Sequence, residues 1–369
     1  MSLVRHSFLY TWFPVRHSLR LAPGCEFACR YCPAGGLDYS PEAMEEEALG
    51  ECLAPLPEGS LVGLGSGLTE LYQARERMEG RTRLILRTLL ERNLRPFILT
   101  KSVLVERDLD LFLKFPESSR PIIVMSASFA DDATRKKYEP LSPSLTERLA
   151  VLSRLSAQGL RTGILMMPLI PELNDDPLGI ESILEKAKFA GAAFAMLGFF
   201  EWAREGADSL FKDSPGIVDK LGSLRTDSGA AEKYRSEKTR VWSALLGKFS
   251  LLPFPDLVEL KPNLSVRDSV VILLEQLYYL AKYAGRDRSA FRRAAVEINY
   301  KDEEVFEEWA RGAKLKRIQG IGPYIEKAVE DLVIKGDLKT YEEAKARFLD
   351  GREETPTGDS ERRSTKKYS

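Results

Sequence analysis

Short apolar runs alternate with longer amphipathic stretches between residues 18 and 200. The short runs predict buried β-strands, and the amphipathic stretches between them predict helices. One predicted helix, residues 145–159, ends in a glycine, which is a common helix stop. Strands that alternate with helices indicate βαβ units and a parallel sheet. The predicted strands cover residues 18–22, 61–65, 96–100, 121–128, 162–168 and 194–200.

Six such units favour an α/β fold with an incomplete barrel over a doubly wound sheet, although periodicity alone is compatible with both. The following residues are rich in Gly, Ser, Asp and Pro and predict an extension and connector. The pattern then becomes wholly helical, before a polar end that predicts a disordered tail. The predicted divisions are 1–200 for the barrel, 201–266 for the extension, 267–349 for the helical domain and 350–369 for the tail.

Charge and composition argue against several classes of function. The formal net charge of −1 gives no global electrostatic reason for a nucleic-acid or membrane partner. The only two histidines are His6 and His17, so a mechanism that depends on a histidine base has little support. Charged residues interrupt every apolar run well before the ~18 residues of a membrane span, so we expect no membrane contact. Clustered cysteines without a targeting segment indicate a cytoplasmic protein.

Three of the four cysteines lie within eight residues, in "GCEFACRYCPAGG" after the first predicted strand. Cys25, Cys29 and Cys32 have the spacing C-x3-C-x2-C, which suits thiolates that hold one side of a cubane iron–sulfur cluster. Three ligands leave one iron open, and an open coordination position is typical of a catalytic metal site. Tyr31, which precedes the last cysteine, is expected to shield the cluster.

A structural zinc site and a chance grouping are the alternatives for this segment. Zinc would need a fourth ligand nearby. Cys52 lies twenty residues further on inside a helical pattern, and His17 lies across a predicted strand. We interpret Cys52 as a buried core thiol.

The cysteine spacing, its position after the first strand and the repeated strand–helix units together resemble the radical S-adenosylmethionine (SAM) superfamily over residues 18–200. The resemblance implies a partial (β/α)6 TIM-like barrel, and a [4Fe–4S] cluster whose open iron binds SAM. It also implies an electron donor such as flavodoxin or ferredoxin. One electron then cleaves SAM to methionine and a 5′-deoxyadenosyl radical, which abstracts hydrogen from the substrate.

Further segments resemble the branch related to spore photoproduct lyase: "GSGLTELYQ", "ILTKS", "SASFA" with "YEPLSPS", and "MMPLIPELND". The resemblance implies that Thr69 borders the methionine amino group of SAM and that Lys101 meets its carboxylate. Ser126 and Ser128 match polar contacts to SAM, and Glu70 is a further candidate contact. The alternative for each is an ordinary strand or loop residue in solvent.

Two features of these segments leave the activity open. Spore photoproduct lyase has a hydrogen-donating cysteine after the second strand, whereas Gly67 and Leu68 stand there in this chain and neither donates hydrogen. This departure argues against repair of thymine dimers by the same route. Asn174 and Asp175 are equally compatible with a helix N-cap and with a ligand contact.

The helical region contains a possible anion site. Gly320 and Gly322 flank an aliphatic residue between two apolar-periodic segments, and Pro323 suits the first turn of the next helix. Such a turn exposes backbone N–H groups, which commonly bind phosphate. The turn resembles a helix-hairpin-helix motif, and residues 268–349 resemble the N-terminal lyase domain of the DNA polymerase beta family. Ala328 stands where that family has its Schiff-base lysine, so we expect nucleic-acid binding without lyase chemistry.

Charge limits this interpretation. Residues 268–349 contain 15 basic and 15 acidic residues, whereas a strong phosphate binder is normally basic. The basic residues are unevenly distributed, with Lys316 and Arg317 beside the hairpin and Arg292 and Arg293 in a second group. A locally basic face for nucleic acid is one interpretation. A helical protein-interaction or packing module is the other.

Three hypotheses for function follow. The first is a radical SAM enzyme that acts on nucleic acid, DNA in preference to RNA, as a lesion-repair or base-modifying enzyme of lyase type. The second keeps the radical chemistry but takes a peptide or small molecule, with the helical module docking a partner protein. The third is a non-catalytic nucleic-acid-binding protein with a structural metal.

Overall fold

The computed structural model describes residues 2–10, 13–20, 24–32, 45–65, 69–202, 206–283, 289–304 and 322–349. Within this part of the chain, one sheet has seven strands that lie side by side in sequence order. The first two strands pair antiparallel, and all later neighbours pair in parallel. The strands are β1 (Ser2–Arg5), β2 (His17–Arg20), β3 (Leu61–Leu64), β4 (Arg95–Thr100), β5 (Ile122–Ser126), β6 (Arg161–Leu169) and β7 (Phe194–Phe199).

Helices connect the parallel strands and make up the whole C-terminal part of the described chain. Those within the barrel are α1 (Glu46–Leu53), α2 (Glu76–Glu79), α3 (Arg81–Glu91), α4 (Leu109–Phe112), α5 (Asp132–Tyr138), α6 (Leu145–Ala157) and α7 (Pro177–Phe189). Those that follow are α8 (Ala207–Leu210), α9 (Pro215–Thr226), α10 (Ser228–Phe249), α11 (Leu257–Leu260), α12 (Val266–Tyr283), α13 (Ser289–Asn299), α14 (Pro323–Glu330) and α15 (Lys339–Leu349). Short 3-10 segments lie at Val103–Asp108, Glu117–Ser119 and Lys261–Asn263, and a π-helical turn lies at Asp331–Lys335.

The six parallel strands coincide with the six predicted apolar runs, so the predicted partial barrel with a helical C-terminal region is confirmed. Every residue of β3 and β5 is buried, as expected for parallel strands that are covered on both faces. The apolar pattern does not predict β1. Its four residues alternate too briefly to show a period, and its position depends on pairing with β2.

Helix α6 shows how local sequence fixes the length of an element. The Ser144 hydroxyl accepts the N–H of Glu147, and the Glu147 carboxylate accepts the N–H of Ser144, which forms a capping box. Gly159, two residues beyond the last helical residue, has a φ of +76°, a conformation that glycine adopts at little cost. Leu149, Leu152 and Leu155 on one side of the helix are buried where it packs against β5 and β6.

The extension is more helical than its composition predicts. Residues 228–249 form one long helix, α10, which contacts β7 and α7. The polar residues that suggest a connector lie at helix starts. Asp227 caps α10 by accepting the N–H of Ala230, and Pro215 opens α9 in the first-turn position that suits proline.

The C-terminal helices share one apolar core with the barrel, with Leu9 and Val15 buried in the same cluster as Leu274 and Ile298. A buried ion pair of 2.5 Å between Arg16 Nη2 and Asp268 Oδ1 also joins the N-terminal segment to α12. The domain boundaries stay predictions, and the predicted tail at 350–369 lies outside the described residues. Within the described part of the chain, no helix is both long enough and apolar enough to span a bilayer.

Candidate active site

The three clustered cysteines lie on one short loop, residues 24–32, which we call the cysteine loop. Turn hydrogen bonds from the N–H of Ala28 to the Cys25 carbonyl (3.3 Å) and from the N–H of Cys32 to the Cys29 carbonyl (3.0 Å) fold it back on itself. The Arg30 N–H donates to the carbonyl of Tyr138 at 2.9 Å, which attaches the loop to the end of α5. The structure therefore gathers all three predicted cluster ligands on one loop.

An aromatic shell surrounds the cysteine loop. Phe27, Cys29 and Tyr31 are buried in a second apolar cluster, separate from the main core, which includes Phe129 and Tyr138. Helices α9 and α10 contribute further side chains to this cluster, so the extension and the loop share one apolar cluster. Tyr31 is buried within this shell, and its role in shielding a cluster stays a prediction.

Burial raises the pKa of two thiols of the cysteine loop. It raises the pKa of Cys29 to about 12, an effect that Lys101 opposes. Burial also raises the pKa of Cys25, although N–H groups of Phe27 and Glu70 that donate to its sulfur act in the opposite direction. Thiolates bind metals, so metal loading here releases protons from buried thiols.

Glu70 is a buried acceptor on the loop that follows β3. Its Oε1 accepts the N–H of Tyr72 at 3.0 Å and the hydroxyl of Thr100 at 2.5 Å. Its Oε2 accepts the N–H of Lys101 at 2.8 Å. The side chain thus fixes the loop after β3 against the end of β4. Thr69, its predicted companion, is half-buried beside it.

Lys101 and Ser126 come together from adjacent strands. The Lys101 ammonium donates to the Ser126 hydroxyl at 2.9 Å and lies 5.9 Å from the centre of the Tyr31 ring. Ser128, two residues further along, donates its hydroxyl to the Met167 carbonyl at 2.8 Å. Lys101 and Ser126 therefore lie beside the cysteine loop. Ser128 also hydrogen-bonds the Tyr31 side chain of that loop, and its bond to Met167 joins the end of β5 to β6.

Sequence reasoning missed Glu139, which lies at the centre of this site. It is 1% exposed, and its carboxylate is hydrogen-bonded by the Tyr31 hydroxyl, by Arg148 and, at 3.0 Å, by Ser142. Lys101 Nζ lies 3.7 Å away. Burial alone would raise the pKa of Glu139, but Lys101 and Arg148 outweigh it and hold the pKa at about 2. The sequence signal that could have identified Glu139 was an acidic residue in the quoted "YEPLSPS" segment, followed by Arg148 in the next helix.

These side chains converge because parallel strands end at the same edge of the sheet. The cysteine loop follows β2, Glu70 follows β3, Lys101 follows β4 and Ser126 ends β5. Barrel enzymes carry their active sites at this edge. Asn174, after β6, bonds the Ser128 and Pro168 carbonyls at 2.7 and 2.9 Å and so has a structural role.

Asp175, the second candidate for a helix N-cap or a ligand contact after β6, also makes structural contacts. Asp175 accepts the hydroxyl of Tyr234 at 3.0 Å and pairs with Lys238 at 3.0 Å, which ties α10 to the barrel. The N-cap of α7 is the next residue, Asp176, whose carboxylate accepts the N–H of Gly179 at 2.7 Å.

The predicted nucleic-acid residues lie only partly within the described chain. Lys316, Arg317 and Gly320 are outside it. Gly322 is exposed at the start of α14, and α14 begins at a proline as predicted. Arg293 is exposed, and its Nη1 donates to the hydroxyl of Ser289 in the same helix at 3.0 Å.

Arg292 is half-buried and packs against two aromatic rings beside a buried carboxylate. Its guanidinium lies over the rings of Tyr10 and Tyr278, and its Nε is 3.7 Å from Glu275 Oε1. The two neighbouring arginines therefore do not form one exposed pair.

Comparison with known families identifies the barrel. Residues 19–180 match the Radical SAM superfamily. This segment, less than half of the chain, therefore resembles a radical SAM domain. Enzymes of this superfamily use a [4Fe–4S] cluster and SAM, and the matched residues include the cysteine loop, Glu70, Lys101 and Ser126.

The residues present fit these cofactors. Among the described residues, no group of three or more His, Cys, Asp or Glu side chains could hold a metal ion. A [4Fe–4S] cluster binds each cysteine through a different iron, so its ligands need not converge on one point. Three thiols on a folded loop, beside a lysine ammonium and hydroxyl groups, provide the donors that a cluster and an amino-acid cofactor require.

Curated relatives are similar to about half of this chain. An uncharacterized protein of Mycobacterium tuberculosis is 27% identical over 197 residues, which is 48% of this chain and 57% of the relative. An uncharacterized protein of Methanocaldococcus jannaschii is 29% identical over 196 residues, 51% of this chain and 71% of the relative. The chain thus spans little more than half the length of the mycobacterial relative.

Two solved structures align with part of this chain. Spore photoproduct lyase complexed with dinucleoside spore photoproduct aligns with a TM-score of 0.46 at 15% identity, over 57% of this chain and 65% of that one. Streptococcus suis SuiB bound to precursor peptide SuiA aligns with a TM-score of 0.42 at 11% identity, over 60% of this chain and 47% of that one. The dinucleoside spore photoproduct and the precursor peptide are bound by those two proteins.

Proposed function

We propose that the protein is a radical SAM enzyme that acts on nucleic acid. The observation that carries the radical chemistry is the convergence of the cysteine loop with Glu70, Lys101 and Ser126 at the carboxyl ends of β3, β4 and β5. Cys25, Cys29 and Cys32 would hold the [4Fe–4S] cluster. Together with SAM and one electron, the cluster supplies a 5′-deoxyadenosyl radical that abstracts hydrogen from the substrate.

Lys101 is the proposed contact for the carboxylate of SAM. An ammonium group has three donors, and the Ser126 hydroxyl is the one hydrogen-bond acceptor found for it among the described residues. Glu139 Oε1 lies at 3.7 Å, beyond hydrogen-bond distance, so it attracts the ammonium without occupying a donor. Lys101 can therefore donate to a bound carboxylate while Ser126 and Glu139 hold its position.

Nucleic acid is the proposed substrate because the C-terminal helices offer a possible phosphate contact. Gly322, Pro323 and Tyr324 are exposed at the start of α14, where backbone N–H groups attract anions. Arg293 and Lys327 are also exposed on this part of the chain. The predicted preference for DNA over RNA, and the assignment to lesion repair or base modification, are parts of this proposal.

Anaerobic reconstitution tests the radical chemistry. We expect the loaded protein to bind iron and sulfide and to form 5′-deoxyadenosine from SAM with dithionite as reductant. The C29A variant should lose both, because it removes a buried cluster ligand. The C52A variant is the matched control, since Cys52 packs against the main core away from the cysteine loop. Full deoxyadenosine formation by C29A would contradict the proposal.

Oligonucleotide binding tests the substrate class. We expect single- or double-stranded DNA to bind with an affinity that falls as salt concentration rises, because phosphate contacts release counterions. Tighter binding of RNA would reverse the proposed preference. No binding, or binding that is insensitive to salt, would favour the second hypothesis, a peptide or small-molecule substrate. The equal numbers of acidic and basic residues in 268–349 are compatible with that outcome.

A further inference from the structure

One apolar side chain of the sheet is open to solvent beside the candidate site. Met167, near the end of β6, is 36% exposed. The other apolar residues of the described strands are buried or half-buried. A parallel strand with a neighbour on each side is normally covered on both faces. Exposure at this position therefore marks an open space over one face of the sheet, at its carboxyl edge.

The strand register shows that this open face is the one that carries Ser126. Residues that pair directly across neighbouring strands share a face, and so do alternate residues along one strand. Ser126 of β5 pairs with Leu165 of β6, which lies two residues before Met167. The open space therefore lies on the face on which the Ser126 hydroxyl accepts a hydrogen bond from the Lys101 ammonium at 2.9 Å.

Gly198 of β7 confirms this direction and shapes the surface. It lies two residues beyond Met196, which pairs with Leu165 across the sheet. A Cβ at Gly198 would stand 2.7 Å from both Cγ and Sδ of Met167, closer than non-bonded atoms approach. The methionine side chain therefore lies across the glycine backbone, on the same face of the sheet. A thioether that rests on a glycine forms a shallow apolar surface.

The position and chemistry of this surface fit a substrate contact. The Ser128 hydroxyl donates to the Met167 carbonyl at 2.8 Å, which fixes the backbone of the exposed residue. Ser126 and Lys101, the proposed SAM contacts, lie at the same edge of the sheet. A soft, polarizable thioether contacts aromatic rings favourably. Enzymes that act on a nucleobase commonly hold it by stacking between aromatic or apolar side chains.

We propose that Met167 and Gly198 form the floor of the substrate cleft, on which one nucleobase of a DNA substrate stacks. The inference rests on the proposed function, because it requires nucleic acid as the substrate. The contact is tolerant of base identity, since a thioether is only a weak hydrogen-bond acceptor and every base has a π face.

Oligonucleotide binding to the loaded protein tests this role, with SAM present and no reductant. The variant Met167→Gln keeps the length of the side chain and makes it polar. We expect mixed-sequence single-stranded DNA to bind about tenfold more weakly to this variant, a loss typical of one stacking contact. Ultraviolet-irradiated DNA of the same sequence is the second probe, because it presents damaged bases. Parent-like affinity of the variant for both probes would overturn the proposal.

The matched control is Leu113→Gln. Leu113 is 38% exposed where α4 ends, in the connection that leads to the amino end of β5, so it lies at the opposite edge of the sheet. This variant also replaces a partly exposed apolar side chain by an amide, and it should bind both DNA probes like the parent. A loss equal to that of Met167→Gln would also overturn the proposal, because it would not be specific to the cleft.

Footprinting of the parent distinguishes a substrate contact from a cofactor contact and does not depend on the folding of a variant. Anaerobic carbene labelling marks exposed side chains without an oxidant. We expect DNA, added to protein that already contains SAM, to remove most of the labelling of Met167 and to leave that of Leu113 unchanged. Full protection of Met167 by SAM alone would overturn the proposal, because the residue would then contact the cofactor.

The outcomes separate this inference from the proposed function. A parent protein that binds no DNA would refute the nucleic-acid substrate and this inference with it. A parent protein that cleaves SAM and binds DNA in a salt-dependent manner, while Met167→Gln binds DNA like the parent, would refute only the role of Met167.

Discussion

At the residue scale, the candidate site depends on a buried ion network that has Glu139 at its centre. This carboxylate is hydrogen-bonded by Tyr31 from the cysteine loop and by Arg148 from α6. Lys101, the proposed SAM contact, lies 3.7 Å from it. A buried carboxylate is favourable only when charges and donors compensate for lost hydration, and both are present here. Glu139 therefore links the loop that would hold the cluster to the lysine that would hold SAM.

The E139Q variant is expected to be much less stable than the parent. It leaves the buried guanidinium of Arg148 without its carboxylate, and loss of one partner from a buried ion pair costs about 3–5 kcal/mol. Chemical denaturation gives the free energy of unfolding. E147Q is the matched control, because Glu147 is exposed and glutamine also serves in a capping box, so its cost should stay below about 1 kcal/mol. Equal stability of the two variants would contradict the role of Glu139 in the network.

At the element scale, the site is positioned by the ends of parallel strands and by the tight turns that follow them. Gly65 directly follows β3 and has a φ of +75°. A Cβ at this position would overlap the carbonyl oxygen of Leu99 in β4. Only glycine satisfies both conditions, so this residue lets the chain leave β3 close beside β4. Glu70 and Thr100 come together a few residues further along.

The G65A variant is expected to lose more than about 2 kcal/mol of stability, since the new methyl group forces either strained backbone or separation of β3 from β4. Thermal unfolding measures this loss. Gly222 in α9 provides the control, because a Cβ there meets no atom within 4 Å. Alanine in the interior of a helix should increase stability by about 0.5–1 kcal/mol. A G65A protein as stable as G222A would show that the turn does not require glycine.

At the scale of the whole molecule, the helical C-terminal region is attached to the barrel and not tethered beside it. The buried pair of Arg16 and Asp268 and the shared apolar core hold α12 against the N-terminal segment. Within this contact, Glu275 of α12 is fully buried, and neither carboxylate oxygen has a hydrogen-bond partner among the described residues. Burial raises its pKa to about 7, although Arg292 opposes the shift.

Glu275 should make the stability of the protein depend on pH. Its pKa rises from 4.5 in the unfolded chain to about 7 in the folded one, so the folded state binds the proton more tightly. The free energy of unfolding therefore falls as pH rises from about 4.5 to 7. The E275Q variant should gain up to about 3 kcal/mol at pH 8 and little at pH 4. Unfolding measured across this range checks the prediction, with E297Q on the exposed face of α13 as control. A gain that does not change with pH would contradict it.

The sequence by itself determined the barrel and its proposed cluster ligands. Six apolar runs identified the parallel strands within a few residues, because a strand buried on both faces has to be apolar along its length. The proposed cluster ligands Cys25, Cys29 and Cys32 were also predictable, because their spacing lies within one short segment of the sequence. The helical nature of residues 228–249 was not, because the polar residues that cap helices also occur in loops.

Only the tertiary structure decided which polar residues act together. Glu139 and Gln73 have no local pattern that separates them from solvated side chains, and their partners lie in other loops. Likewise, adjacent arginines at 292 and 293 look equivalent in sequence, whereas one faces a buried acid and the other faces solvent. Burial and hydrogen bonding between distant segments depend on how the elements pack. The periodicity of a single element therefore cannot specify them.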